Sequence, residues 1–178
     1  MATLFFSEYF PQARIVCCEP SRDNLELLTL NTAHLPNVTV LHCALGNKPS
    51  LGNIIQNSAG NYANVKVVQS DTGNIPIYDY NQLLAVSAVP FFDLIKIDIE
   101  GSEYDFLSSM SEDQLTQCNW IVGEVHGVDE WLLLNLLSKH FSIDIRKTMG
   151  NKPSKFHACN LSKTEAFLKD FDLSILQK

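Results

Sequence analysis

The stretch Phe92-Asp93-Leu94-Ile95-Lys96-Ile97-Asp98-Ile99-Glu100-Gly101-Ser102-Glu103 decides the fold. Phe92 to Ile99 is a short, mainly apolar run rich in isoleucine, the pattern of a buried strand. Glu100-Gly101 reads as a turn, where Gly101 permits a backbone conformation closed to other residues. Ser102, with Asp105 three residues on, has the form of a capping box opening a helix that carries Phe106 and Leu107. A buried strand turning tightly into a helix is the building unit of parallel α/β sheets.

The same alternation extends in both directions. Leu4, Phe5 and Tyr9 give the first ten residues an apolar helical face that Pro11 ends. Ala13 to Glu19 reads as a buried strand. Ser21 is placed to cap a helix carrying Leu25, Leu27, Leu28 and Leu30. Val38 to Leu45 reads as one further strand. Gly46 to Gly60, followed by Val65, Val67 and Val68, reads as a hairpin-like insertion, and Asn81 to Val89 as one or two helical turns. Beyond the deciding stretch come a strand over Asn119 to Val125 and a leucine-rich helix over Glu130 to Lys139. Two strands, Phe141 to Arg146 and Phe156 to Leu161, then read as antiparallel neighbours. The expected architecture is a Rossmann-like α/β sheet, mostly parallel with an antiparallel C-terminal strand. It forms one domain over 1–178, with a core at 1–162 and a polar helical tail at 163–178.

Ligands of such sheets bind outside the carboxyl ends of the strands. That rule selects Glu19, Cys43 to Leu45, Asp98 to Gly101, and Glu124 to His126. Glu19 is either an acceptor for two ribose hydroxyls or a solvated carboxylate favourable to the following helix. Asp98, Glu100 and Glu103 crowd one turn, and crowded acids raise one another's pKa values. Lys96 shares a strand face with Asp98, so a plain ion pair is the competing reading. Glu124 and His126, two apart on a strand, share a face. With Asp98 they form a set able to hold a metal or to take a proton from an alcohol. His34, His42, His140 and His157 lack such company and receive no role.

Composition narrows the partners. Thirteen basic against 20 acidic side chains give a formal charge of −7, which argues against a broad nucleic-acid surface. Five scattered cysteines, none in a CxxC pair, fit a reducing compartment. No run is long enough to span a membrane, and the first residues lack the basic start of a signal peptide, so a cytoplasmic location is expected.

These residues resemble the FkbM-type methyltransferases. The likeness is carried by Glu19-Pro20 with Asn24-Leu25, Leu28 and Asn31; by Asn37-Val38 and Ala44-Leu45-Gly46; by Asp93 to Glu103, its most specific part; and by Glu124-Val125-His126. It implies a class I methyltransferase fold and S-adenosylmethionine as cofactor. It also implies O-methylation of a hydroxyl on a small molecule or sugar. By the same likeness Glu19 holds the ribose hydroxyls, and Cys43 and Ala44 lie along the adenine. Asp98 sits near the methionine end of the cofactor or the substrate, and Glu124 and His126 face the acceptor. A divalent metal is compatible with these residues, but no metal ligand set is expected. Such families open with an apolar strand and a glycine-rich cofactor loop, and no glycine-rich loop precedes Glu19 here. The expectation is therefore weak or no binding of S-adenosylmethionine by the chain as it stands. Two other readings stay open, a non-catalytic remnant acting as a binding module and a different Rossmann-like nucleotide-cofactor enzyme.

Overall fold

The structure, a computed structural model, describes residues 2–56, 65–127, 129–147 and 153–163. The chain divides into two compact units, Met1–Ala88 and Val89–Lys178.

In the first unit, helix α1 (Ala2–Tyr9) precedes strand β1 (Ile15–Cys18), helix α2 (Arg22–Thr32) and strand β2 (Val38–Leu41). β1 and β2 pair in parallel from Ile15↔Val38 to Cys18↔Leu41. The Glu19 amide extends the ladder by donating to the Leu41 carbonyl at 3.0 Å. Ser21 stands at the N-cap of α2, but its hydroxyl makes no capping bond. Instead, the Ser21 amide donates to the Glu19 carboxylate at 2.9 Å, so the strand-end acid closes this turn.

Val38 to Leu45 is two strands and not one. The chain breaks at His42-Cys43, and β3 (Ala44–Leu45) joins a separate four-stranded sheet. The His42 ring marks the bend, its Nε2 lying 3.0 Å from the Pro20 carbonyl oxygen. The hairpin expected after Gly46 is present as β4 (Ser50–Gln56) and β5 (Val65–Gln69), paired antiparallel; its tip lies outside the described residues. β6 (Ile75–Tyr78) was not anticipated. Its Ile75 and Ile77 alternate inward and pack with Ala44, Ile54 and Val67. Helix α3 (Tyr80–Ser87) follows, capped by the Asp79 carboxylate, which accepts from the Gln82 amide at 2.8 Å.

The second unit runs β7 (Leu94–Ile97), α4 (Glu103–Ser108), α5 (Glu112–Gln117), β8 (Trp120–Val125), α6 (Glu130–Leu137), β9 (Phe141–Arg146) and β10 (Ser154–Asn160). Its sheet has the order β7-β8-β10-β9. β7 and β8 are parallel, joined by the crossover through α4 and α5. β10 is antiparallel to both β8 and β9. Its buried Asn160 ties the end of the sheet to the crossover, donating through Nδ2 to the carbonyls of Thr116 and Cys118 at 2.9 and 2.8 Å. The core comes from Ile97, Ile121, Phe156 and, on the helices, Phe106, Leu107, Leu133 and Leu137. Leu133 and Leu137 lie one helical turn apart, and burial of each contributes about 1.5–3 kcal/mol.

The capping box expected at Ser102–Asp105 does not form. Ser102 adopts φ −107° and ψ 14°, away from the extended conformation a capping hydroxyl needs, and makes no side-chain cap bond. A capping box forms one helix later, at Ser111 and Gln114 of α5. The expected tail, 163–178, lies outside the described residues after Lys163. No helix among the described residues is long and apolar enough to cross a membrane.

Candidate active site

The second unit brings Asp98, Glu124 and His126 together at the carboxyl ends of β7 and β8. The β7–β8 ladder aligns Ile97 with Gly123. Asp98 follows the first of these, and Glu124 and His126 follow the second. Between Asp98 and α4 the chain turns at Glu100 and Gly101, with φ of 54° and 100°. Two consecutive positive φ values suit a tight reversal, and the non-glycine residue costs about 1–2 kcal/mol there. The turn returns two further carboxylates, Glu100 and Glu103, to the same place.

The His126 ring sits at the centre. Its Nδ1 lies 3.0 Å from Glu103 Oε1. Its Nε2 lies 3.7 Å from Glu100, 4.0 Å from Asp98 and 4.0 Å from Glu124. Two lysines balance the rim: Lys96 is 3.7 Å from Asp98, as the shared strand face suggested, and Lys155 of β10 is 3.6 Å from Glu124. Exposure grades inward: the Asp98 side chain is 39% exposed, His126 20% and Glu103 3%. Burial pushes the Glu100 carboxyl above its usual value. The His126 ring opposes that shift, and the repulsion of Asp98, Glu103 and Glu124 adds to it. One donor atom each from Asp98, Glu124 and His126 lie within 4.8 Å of one another, a spacing that a divalent cation can span.

Glu103 and Lys155 are the participants that sequence reasoning missed. The sequence places Glu103 among the crowded acids of the turn without giving it a role of its own. Its position two residues after a glycine in the left-handed region is the signal that it turns back toward the strand. The four remaining histidines do not all lack company: His157 pairs with Asp144 at 3.4 Å, directly across the β10–β9 ladder.

The other anticipated residues belong to the first unit. Glu19 follows the last residue of β1, half-buried. Burial raises its carboxyl above the ordinary value, and the Ser21 amide, Asn24 and His42 partly restore it. The Cys43 thiol is fully buried and Ala44 nearly so. Cys18 and Cys43 are in hydrogen-bond contact, which together with burial drives the Cys18 thiol far up. The Cys18 thiol is held protonated, and both side chains serve as packing.

The methyltransferase FkbM domain model matches residues 2–151. The chain belongs to the FkbM methyltransferase family. This FkbM-type chain is 30% identical over 131 residues to the hexuronic acid methyltransferase AglP of Haloferax volcanii, an alignment covering 72% of the chain and 54% of that protein. It is also similar to the crystal structure of methyltransferase FkbM from Methylobacillus flagellatus KT. The TM-score there is 0.53 at 20% identity, covering 82% of the chain and 36% of that structure. The chain thus spans about half the length of the curated relative and about a third of the solved one. The structural likeness bears on fold, an α/β architecture with mixed sheets.

Proposed function

We propose that this chain carries the acceptor-activating groups of an S-adenosylmethionine-dependent O-methylation of a hydroxyl on a small molecule or sugar, and that the weak cofactor binding expected from its sequence limits affinity and not the chemistry. The observation that carries the reading is the convergence of Asp98, Glu100 and Glu124 on His126 Nε2 in a member of a methyltransferase family. The similarity to a hexuronic acid methyltransferase favours a sugar as acceptor.

Each unit, taken by itself, offers groups chemically suited to part of the cofactor. Glu19 is an acceptor-only carboxylate at a strand end, matched to a vicinal diol such as that of a ribose. The main chain at Cys43 and Ala44 would border the adenine. The acidic rim headed by Asp98 suits the cationic methionine end. When bound, S-adenosylmethionine supplies an electrophilic methyl carbon. The protein's own task is alignment and proton removal: the Asp98–Glu124 rim orients the acceptor, and His126 Nε2 takes the hydroxyl proton. Lys96 and Lys155 keep the rim carboxylates in place through ion pairs at 3.7 and 3.6 Å.

The test is transfer of tritium from methyl-labelled S-adenosylmethionine to a panel of neutral and acidic pyranosides. His126→Ala is expected to lower the rate about 100-fold or more, the usual worth of a positioned base. A nicotinamide enzyme or a binding remnant would transfer no label at all. An unchanged rate in His126→Ala would remove the histidine from the chemistry.

A further inference from the structure

Glu103 is the most buried charged side chain at the site, and its bonding is unusual. Its Oε1 accepts from the Ile99 amide at 3.1 Å and from the Gly101 amide at 3.3 Å. The same oxygen lies 3.0 Å from His126 Nδ1. Backbone amides can only donate, so Oε1 is an acceptor in two of its three contacts; an oxygen with two donors already on it is the unprotonated oxygen of the carboxyl, and it accepts in the third as well. The third partner must therefore also be a donor, and Nδ1 carries a hydrogen. In a neutral imidazole with its hydrogen on Nδ1, Nε2 holds the lone pair.

Among the described residues nothing at the outer face reverses this, and every carboxylate facing Nε2 stands 3.7 Å or more away, beyond hydrogen-bond reach. Asp98 and Glu124 are each engaged by a lysine. They cannot hold a proton on Nε2 as Glu103 holds one on Nδ1, yet they are close enough to stabilise an imidazolium once it forms.

From this donor accounting we infer that Glu103 is the positioning residue of the acceptor base, fixing His126 with Nδ1–H inward and the Nε2 lone pair toward the acceptor hydroxyl. The inference rests on the methyl-transfer reading above. In the step, the acceptor O–H bond breaks and its proton goes to Nε2. The oxygen keeps the electron pair with which it forms the new bond to carbon. Glu103 keeps its charge throughout and exchanges no proton. An acceptor that must lose a proton needs this pairing; a carboxylate acceptor, already ionised, does not.

The experiment is nitrogen NMR of the His126 ring in the full chain, with Glu103→Gln as the variant. In the unsubstituted protein above the ring's titration, Nδ1 is expected to resonate as protonated and Nε2 as unprotonated. Glu103→Gln keeps an acceptor oxygen but removes the charge. It is expected to shift the ring toward the Nε2–H form, to move the ring titration to lower pH, and to lower kcat about 10-fold or more with KM little changed. A neutral ring protonated on Nε2 in the unsubstituted protein would overturn the inference, whether or not the variant folds. So would a folded Glu103→Gln chain with an unchanged ring spectrum and titration. The ring measurement needs no acceptor, so an absence of methyl transfer, which would sink the proposed function, is told apart from a wrongly protonated ring.

Discussion

Gly123→Ala tests the seam on which the site is built. Gly123 faces Ile97 across the β7–β8 ladder. A Cβ added there would stand 2.0 Å from the Ile97 carbonyl oxygen, 2.8 Å from its Cγ2 and 3.0 Å from its carbonyl carbon. Ordinary contacts begin at 3.4 Å, and the nearest atom is backbone, so the strands must part by more than an ångström. Two ladder hydrogen bonds would be strained or lost, at about 0.5–1.5 kcal/mol each, and the buried seam around Ile97 and Ile121 would loosen. A total near 2–3 kcal/mol is expected, matching the usual cost of overpacking. The check is urea unfolding: the midpoint should fall with the slope unchanged, and thermal melting should drop by about 4–10 °C. Methyl transfer should fall too, because Asp98 and Glu124 leave opposite sides of that seam. A Gly123→Ala chain within about 0.5 kcal/mol of the parent would refute the register and the site built on it.

Two further outcomes follow from the charged groups. Glu19, whose carboxyl is raised mainly by burial, favours its protonated form in the fold. The stability this lends is complete below the unfolded carboxyl pKa and is lost as pH rises through the higher folded value. Glu19→Gln should therefore be at least as stable as the parent at pH 7, lose that advantage by about pH 4, and bind S-adenosylmethionine more weakly at both; equal destabilisation at both pH values would contradict the assignment. Lys96 and Lys155 already balance Asp98 and Glu124, so EDTA is expected to leave methyl transfer unchanged. Loss of transfer on chelation, restored by magnesium or manganese, would instead make Asp98, Glu124 and His126 cation ligands.

The strand-end acids were legible because period-two alternation and strand order are written in local sequence. Alternation put Lys96 with Asp98, and Glu124 with His126, and the crossover rule brought the two strands side by side. The break at His42-Cys43 was not legible. Val38 to Leu45 is continuously apolar enough for one strand, and the bend comes from the long-range pairing of β3 with β6, marked by the contact of His42 with Pro20. The role of Glu103 was hidden for a related reason. Ser102 and Asp105 have capping-box spacing, but the two positive-φ residues before them turn the backbone so that Glu103, not Ser102, meets the free amides. Lys155 enters through β10, whose pairing with β8 is a long-range choice that no local pattern announces.

The most direct measurement is the fate of tritium after incubation of the chain with methyl-labelled S-adenosylmethionine and a pyranoside bearing both hydroxyls and a carboxylate. Transfer through the Glu103-held His126 predicts a methyl ether, with label that survives mild alkali. No incorporation, or label released by alkali as methanol from an ester, would contradict hydroxyl methylation at this site.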